Sequence, residues 1–251
     1  MTLLPCHLEL APTQPKDAMN TLGEYQLNTI ITGDARTLAK AIPNGSVDII
    51  FTSPPYNIGL KYENFDDDLS EDEYRDFHHQ WLSDCFRMGR DNARLYAIVS
   101  EAMLYDLREI AACVGWKYHQ LLTWCKPNMP SGPRISKDWS CFSEYGLLFH
   151  KGKRTPMLNE VPDVNTHNWI VSAAPQSNFT GQKKKVFIAQ MALEVAYAWL
   201  ARTPGEIVYD PFCGSGTTCI AAKRLGKKWI GFELGPKTAD LARKRIQAAP
   251  T

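Results

Sequence analysis

The sequence predicts an α/β fold, a doubly wound and mostly parallel sheet with helices on both faces. Three observations lead there. Short apolar runs alternate with amphipathic stretches of helical length along most of the chain, the pattern of strands joined by crossover helices. Several runs, such as Ile49-Ile50-Phe51 within VDIIFT, are apolar at consecutive positions, as strands buried on both faces tend to be. A chain of 251 residues also suffices to bury one such core.

The elements follow in order. Residues 1–24 hold prolines at 5, 12 and 15 and show no periodicity, so they are expected to form a loose arm before a domain spanning 25–251. Met19 opens a stretch that suits an alternative start. A strand over 27–32 ends in Gly33-Asp34, and Asp34 suits the N-cap of a helix over 35–41. A strand over 47–52 runs into a proline-rich turn. The next helix, over 70–89, starts at Ser70 with Glu73 three residues on, a capping-box spacing. A strand over 94–99, a helix over 102–114 and strands over 117–124 and 145–149 follow. Helical periodicity then predicts a helix over 183–201. The end of the chain reads as strand 207–209, helix 217–225, strand 229–232 and helix 236–246, with Pro236 suited to a first helical turn. The stretches 125–142 and 151–182 are long and irregular, and loops of that length in a compact domain usually carry function.

Composition narrows the classes of function. No apolar run is long enough to span a bilayer, and the opening MTLLPCHLEL has neither a basic region nor a sustained apolar one, so no signal peptide is expected. Seven scattered cysteines without a C-x-x-C pair argue against structural zinc, any other metal site and a disulfide framework, and point to a cytoplasmic protein. The net charge of +1 hides an asymmetry. Residues 61–76 hold eight acids and two bases, net −6, which leaves +7 on the rest of the chain. That basic remainder can attract phosphates; the acidic segment is expected to face solvent or a partner rather than nucleic acid.

Two constellations carry chemistry. In EIVYDPFCGSGTTCIAAKRLGKKWIGFEL, Asp210 closes a strand, Gly214 and Gly216 allow a tight turn, Thr217 opens a helix and Glu233 closes the next strand. An acid at that place grips ribose hydroxyls in nucleotide folds. The phosphate-gripping Gly-Lys pair is missing, which argues against a phosphohydrolase, and the third glycine of a dinucleotide turn is absent as well. A nucleoside with an amino-acid tail fits better: Asp210 for its ammonium, the helix start for its carboxylate, Glu233 for its ribose and Asp34 for its base amine. In SVDIIFTSPPYNIG, the turn Ser53-Pro54-Pro55-Tyr56 follows a strand's carboxyl end. The prolines remove two donors and leave carbonyls that only accept. Ser53 Oγ and the Pro54 carbonyl can then hold the two N–H groups of an exocyclic amine, and Tyr56 offers a face on which an extruded base stacks.

TSPPY and DPFCGSGTT, in that order, resemble the amino-methyltransferases of DNA, and the order resembles their beta group. The resemblance runs from about Leu27 to Ile246 and takes in GDA after the first strand, EYRDFHHQWLSDCFR, WCKPN, EYGLLFHKGK and the closing GFEL. One departure stands out: where the family often carries a His-Pro and Lys-Pro pattern, this chain has Ile188 at a position expected to be proline.

The resemblance implies the doubly wound methyltransferase sheet with a late antiparallel strand and a small inserted target-recognition region. It implies S-adenosylmethionine as cofactor, bound by Asp34, Asp210, Phe212, Gly214, Gly216, Thr217 and Glu233. Ser53, Pro54, Pro55 and Tyr56 would form the catalytic pocket, double-stranded DNA would be the partner with its target base flipped out, and a homodimer is an open expectation. It also implies a setting in restriction–modification. In the family a serine before the double proline usually accompanies cytosine N4, which makes cytosine N4 the expected target and adenine N6 the runner-up. An RNA methyltransferase or an inactive cofactor-binding subunit are the further alternatives. DNA recognition is expected within 125–182, through Lys126, Asn128, Arg134, Lys151, Lys153 and Arg154. Amine methylation needs no enzyme thiol, so Cys213 is expected to be a packing residue.

Overall fold

The computed structural model describes residues 20–128, 142–153, 161, 164, 166–187 and 189–250. Two short strands, β1 (Thr21–Leu22) and β2 (Tyr25–Gln26), pair as a small hairpin. The main sheet is built from β3 (Thr29–Thr32), β4 (Val47–Thr52), β5 (Gly89–Val99), β6 (Lys117–Cys125), β7 (Ser143–His150), β8 (Trp169–Val171), β9 (Ile207–Asp210) and β10 (Lys228–Glu233). The helices are α1 (Ala35–Leu38), α2 (Glu71–Met88), α3 (Leu104–Val114), α4 (Leu193–Ala201), α5 (Thr217–Arg224) and α6 (Pro236–Ala248).

Among the described residues the sheet order is β3-β10-β9-β4-β5-β7-β6-β8. Neighbours run parallel except where β7 meets β5 and β6, both antiparallel to it. The doubly wound sheet with one late antiparallel strand is therefore as expected. Alternation along β4 explains its apolar run: Ile50 packs into a core that includes Tyr74, Trp81 and Leu107 from α2 and α3, while Ile49 and Phe51 pack into a second core with Leu200 and Ile220 from α4 and α5. Both faces are covered, so neither can be polar.

Capping signals read from the sequence hold. The Ser70 side chain accepts from the Glu73 backbone N–H while the Glu73 carboxylate accepts from the Ser70 N–H, and Pro236 opens α6.

Three expectations need correction. The segment 183–201 is not one helix: a single 3-10 turn spans Gly181–Lys183, and the α-helix begins only at Leu193. Between them backbone groups find non-helical partners. The Lys185 N–H donates to the Gln176 carbonyl, and the Gln190 side chain accepts from Val186 N–H and donates to the Lys184 carbonyl. These partners replace the helical ladder that periodicity alone predicts. The loop expected at 151–182 contains β8, which extends the sheet beyond β6. The arm expected over 1–24 is ordered by residue 21, where β1 buries Leu22 in the core; two-residue strands are too short to show a period. Residues 1–19 lie outside the described part.

No helix among the described residues is long and apolar enough to cross a membrane.

Candidate active site

The sheet order reverses between β9 and β4. From β9 the chain proceeds outward through β10, and from β4 it proceeds the other way through β5. The two strands pair directly and in parallel, Ile49 opposite Val208 and Ile50 opposite Tyr209. Their carboxyl ends therefore emerge side by side, although the segments lie more than 150 positions apart. A crevice opens at such a switch point because the connecting helices diverge to opposite faces. Here it holds ≈ 1060 Å³ of space between protein atoms, part of it open to solvent. Its lining brings together Asp34, Ser53, Pro54, Pro55, Tyr56, Asp210, Phe212, Gly214, Thr217 and Glu233.

The glycine turn is held from several sides. Gly214 and Gly216 have φ of 48° and 79°, a region costly for other residues. A Cβ on Gly216 would come within 3.2 Å of Ala242 and 3.1 Å of Ile246, so this position also lets α6 pack close. Gly216 is absent from the cleft lining and acts from beneath it. The Glu233 carboxylate accepts from Gly214 N–H and Gly235 N–H, both at 2.9 Å, tying the turn to the end of β10. Behind the turn, the Arg245 guanidinium donates to the carbonyl and hydroxyl of Ser215 at 2.7 Å each.

The carboxylates differ in setting. Asp210 is 3% exposed, and burial pushes its pKa up to about 6, partly offset by the Thr218 hydroxyl. Burial also raises the Glu233 carboxyl, against the pull of the Gly235 and Gly214 N–H groups. Asp34 is held below the ordinary range by the Arg36 guanidinium, which donates to both its oxygens. Asp34 also caps α1 through Arg36 N–H, as its place in the sequence suggested.

One wall of the cleft is the segment expected to face solvent. Tyr62, Glu63, Asn64 and Phe65 line it. The Asp67 carboxylate, 2% exposed, accepts from the backbone N–H groups of Asn57, Ile58 and Leu60 and so curls this loop back on itself. Glu63 accepts from Lys237 and Thr238 N–H at the start of α6. Seven of the segment's eight acids are exposed, as expected; Asp67 alone is buried, and its backbone donors, with those of Glu63, place the segment's aromatic residues at the cleft.

At the double-proline turn, the Ser53 and Tyr56 hydroxyls lie 3.1 Å apart, and the Tyr56 hydroxyl is 3.2 Å from Glu144 Oε2. Glu144 Oε1 accepts from Lys126 Nζ at 2.7 Å. Sequence reasoning passed over Glu144, although it opens the EYGLLFHKGK segment. Phe187, Gln190 and Arg36 also line the cleft without a sequence signal that marks them.

Among the described residues expected to meet DNA, Lys126 and Asn128 lie together near Ala174 and Gln176, apart from Lys151 and Lys153. Lys126 is turned inward, 7% exposed, and paired with Glu144. The Asn128 side chain bonds the backbone of Ala174 in both directions, a structural clasp. Lys151 follows β7, which runs antiparallel, so it sits at the sheet edge opposite the cleft, where its Nζ donates to the Phe86 and Gly89 carbonyls. Lys153 lies two residues further along, at that same edge. Arg134 and Arg154 lie outside the described residues. Nearer the crevice, exposed Lys185 borders a second hollow lined by Trp124, Lys126, Glu144 and Gln176. The Cys213 and Cys219 thiols are buried and pushed up by that burial, which suits packing. Among the described residues there is no cluster of three or more side chains suited to a metal ion.

Comparison with known proteins agrees with the resemblance seen in the sequence. The model of the N6/N4 family, described as DNA methylase, matches residues 47–244. The chain is 28% identical to the Type II methyltransferase M.HinfI of Haemophilus influenzae, over 88% of this chain and 68% of that protein. It is 25% identical to the DNA adenine methyltransferase YhdJ of Escherichia coli K12, over 89% of this chain and 84% of that one. Among solved structures, the cytosine-N4-specific PvuII DNA methyltransferase superposes with a TM-score of 0.72 at 20% identity, covering 86% of this chain and 85% of that one. The M1.HpyAVI complex with S-adenosylmethionine superposes with a TM-score of 0.71 at 22% identity, covering 87% and 98%. A shared fold and a family match over most of the sequence agree, and the chain belongs to the N6/N4 DNA methylase family, the S-adenosylmethionine-dependent amino-methyltransferases of the beta group.

Proposed function

We propose that this protein methylates the exocyclic N4 of a cytosine in double-stranded DNA. The observation that carries the reading is the meeting of the Ser53–Tyr56 turn and the Asp210–Thr217 turn in one cleft. The residues of that cleft fit S-adenosylmethionine. Asp210, buried and acidic, suits the ammonium of an amino-acid tail; the start of α5 suits its carboxylate. Phe212 and Phe65 offer apolar walls to a nucleoside, and Glu233 and Asp34 add acceptors. When bound, this cofactor supplies an electrophilic methyl group.

The protein's own part is to position the base. Ser53 Oγ and the Pro54 carbonyl accept the two N–H groups of the amine, and this favours a nitrogen whose lone pair is free to react. Holding the amine aligned, rather than activating it with a strong base, supplies most of the rate. Tyr56 stacks on the flipped base, which a duplex cannot otherwise deliver into a recessed cleft. Serine ahead of the double proline favours cytosine. Adenine N6 is the second reading, favoured by the similarity to YhdJ.

Incubation with DNA and, separately, RNA in the presence of methyl-labelled cofactor, followed by mass spectrometry of the nucleosides, tests this. N4-methylcytosine is expected. N6-methyladenine shifts the assignment to the second reading, label in RNA alone moves it to another substrate class, and no label in any nucleic acid overturns it.

A further inference from the structure

We propose that Glu144 is a positioning residue that fixes the direction of the hydrogen bond between Ser53 and Tyr56, so that Ser53 faces the cleft as an acceptor. The inference rests on the proposed function, in which Ser53 receives a hydrogen from the target amine.

The direction follows from counting hydrogens. Lys126 Nζ carries only donors, and it lies 2.7 Å from Glu144 Oε1. A glutamate carboxylate only accepts, and with Oε1 on the ammonium its Oε2 faces Tyr56. The Tyr56 hydroxyl, 3.2 Å from Oε2, must then be the donor. A phenol has one hydrogen. With that hydrogen spent on Glu144, the 3.1 Å contact between Tyr56 and Ser53 leaves Tyr56 as the acceptor and Ser53 as the donor. Ser53 also has one hydrogen, now directed at Tyr56, so what it presents to the cleft is lone pairs. Taken alone, the Ser53–Tyr56 contact runs equally well in either direction; the Lys126–Glu144 pair decides it.

The arrangement is sheltered. Lys126 directly follows β6 and Glu144 is the second residue of β7, where Cys125 and Ser143 pair and Lys126 N–H donates to the Phe142 carbonyl. Lys126 is 7% exposed, with its Nζ 5.3 Å from the centre of the Trp124 ring. Burial, reinforced by the Glu144 charge, holds the Tyr56 phenol well above its ordinary pKa, so it stays a donor at neutral pH. A serine whose hydroxyl hydrogen pointed into the cleft would meet an amine hydrogen with another hydrogen. The order Lys126 to Glu144, Tyr56 to Glu144 and Ser53 to Tyr56 prevents that.

Glu144→Gln is the diagnostic variant. Lys126 still requires an acceptor, so the new amide oxygen stays on Lys126 and its NH2 group faces Tyr56. The phenol then accepts from the amide, donates to Ser53, and the Ser53 hydrogen swings into the cleft. Single-turnover methylation should slow by roughly a hundredfold, the scale of losing one preorganised hydrogen-bond partner. The Kd for S-adenosylmethionine should change by less than about threefold, because no proposed cofactor contact depends on this direction. Removing Lys126 as well, in Lys126→Met with Glu144→Gln, frees the amide to turn its oxygen back to Tyr56 and should restore part of the rate.

In a Tyr56→Phe background the link is cut, and Glu144→Gln should add no further loss. An unchanged rate in Glu144→Gln alone overturns the inference, as does an equal loss in the Tyr56→Phe background, which requires no refolded cleft to interpret. Wild-type protein inactive on every DNA removes the proposed function and this inference together; active wild type with an insensitive Glu144→Gln removes only the inference.

Discussion

Asp210 is the residue at which burial and chemistry conflict most. Its carboxyl lies at the floor of the cleft, and burial raises its pKa to about 6. The sign matters for binding. A raised carboxyl pKa means the proton is retained up to that pH, and only the ionised form attracts an ammonium. Affinity for S-adenosylmethionine should therefore fall as pH drops through about 6. Between pH 7 and pH 5 the ionised fraction falls from about nine-tenths to about one-tenth, so Kd should rise about tenfold by calorimetry. Asp210→Asn should bind weakly and flatten that dependence; a wild-type Kd that is constant from pH 5 to 7 would contradict the assignment. The residue types at this cradle were legible in the sequence because each has a local reason: glycine for a positive φ, an acid at a strand end. Glu144 was not legible. Its importance comes only from contacts with Tyr56, 88 positions away, and with Lys126, 18 positions away, and no spacing rule connects them.

At the scale of the element, the loop from Asn57 to Leu69 keeps most of its acids exposed while one buried acid folds it onto the cleft. Asp67 gathers three backbone N–H groups, and the Asn57 side chain bonds Leu69 through both its amide nitrogen and its oxygen. Together they hold Tyr62 and Phe65 against the cleft, with Tyr62 near Phe187 and Phe65 near Phe77. Asp67→Ala leaves those donors without their acceptor and should cost about 1–3 kcal/mol in urea denaturation. Because the same loop walls the cleft, the variant should also weaken cofactor binding, while Asp66→Ala, at an exposed position in the same loop, should do neither. The helix expected over 183–201 failed for a related reason. Its first half pairs with the backbone of Gln176, outside the segment, and its backbone groups are taken up by the Gln190 side chain in place of a helical ladder. Where an element's partners are local, as in the Ser70–Glu73 box, sequence and structure agree.

At the scale of the whole molecule, placement on the sheet separates cations that look alike in sequence. Lys151 lies at the edge away from the cleft and holds two carbonyls, so Lys151→Met should lower Tm without changing DNA affinity. Lys185 borders the hollow beside the double-proline turn. Lys185→Ala should weaken DNA binding across all sequences and reduce the slope of log K against log salt by about one, the signature of a lost phosphate contact. Fluorescence anisotropy over a salt series checks both; a Lys151 variant with a reduced slope would reverse the orientation of DNA on the protein.

By itself the sequence determined the fold class, the two turns and the chemistry each suits, because hydrophobic period, glycine and proline act on the backbone within a few residues. Only the tertiary structure decided that the turns share a cleft, that the acidic loop forms its wall, and which lysines face inward. Those outcomes depend on strand order and on pairings between distant side chains, and a linear pattern holds no record of which distant partner a group will find.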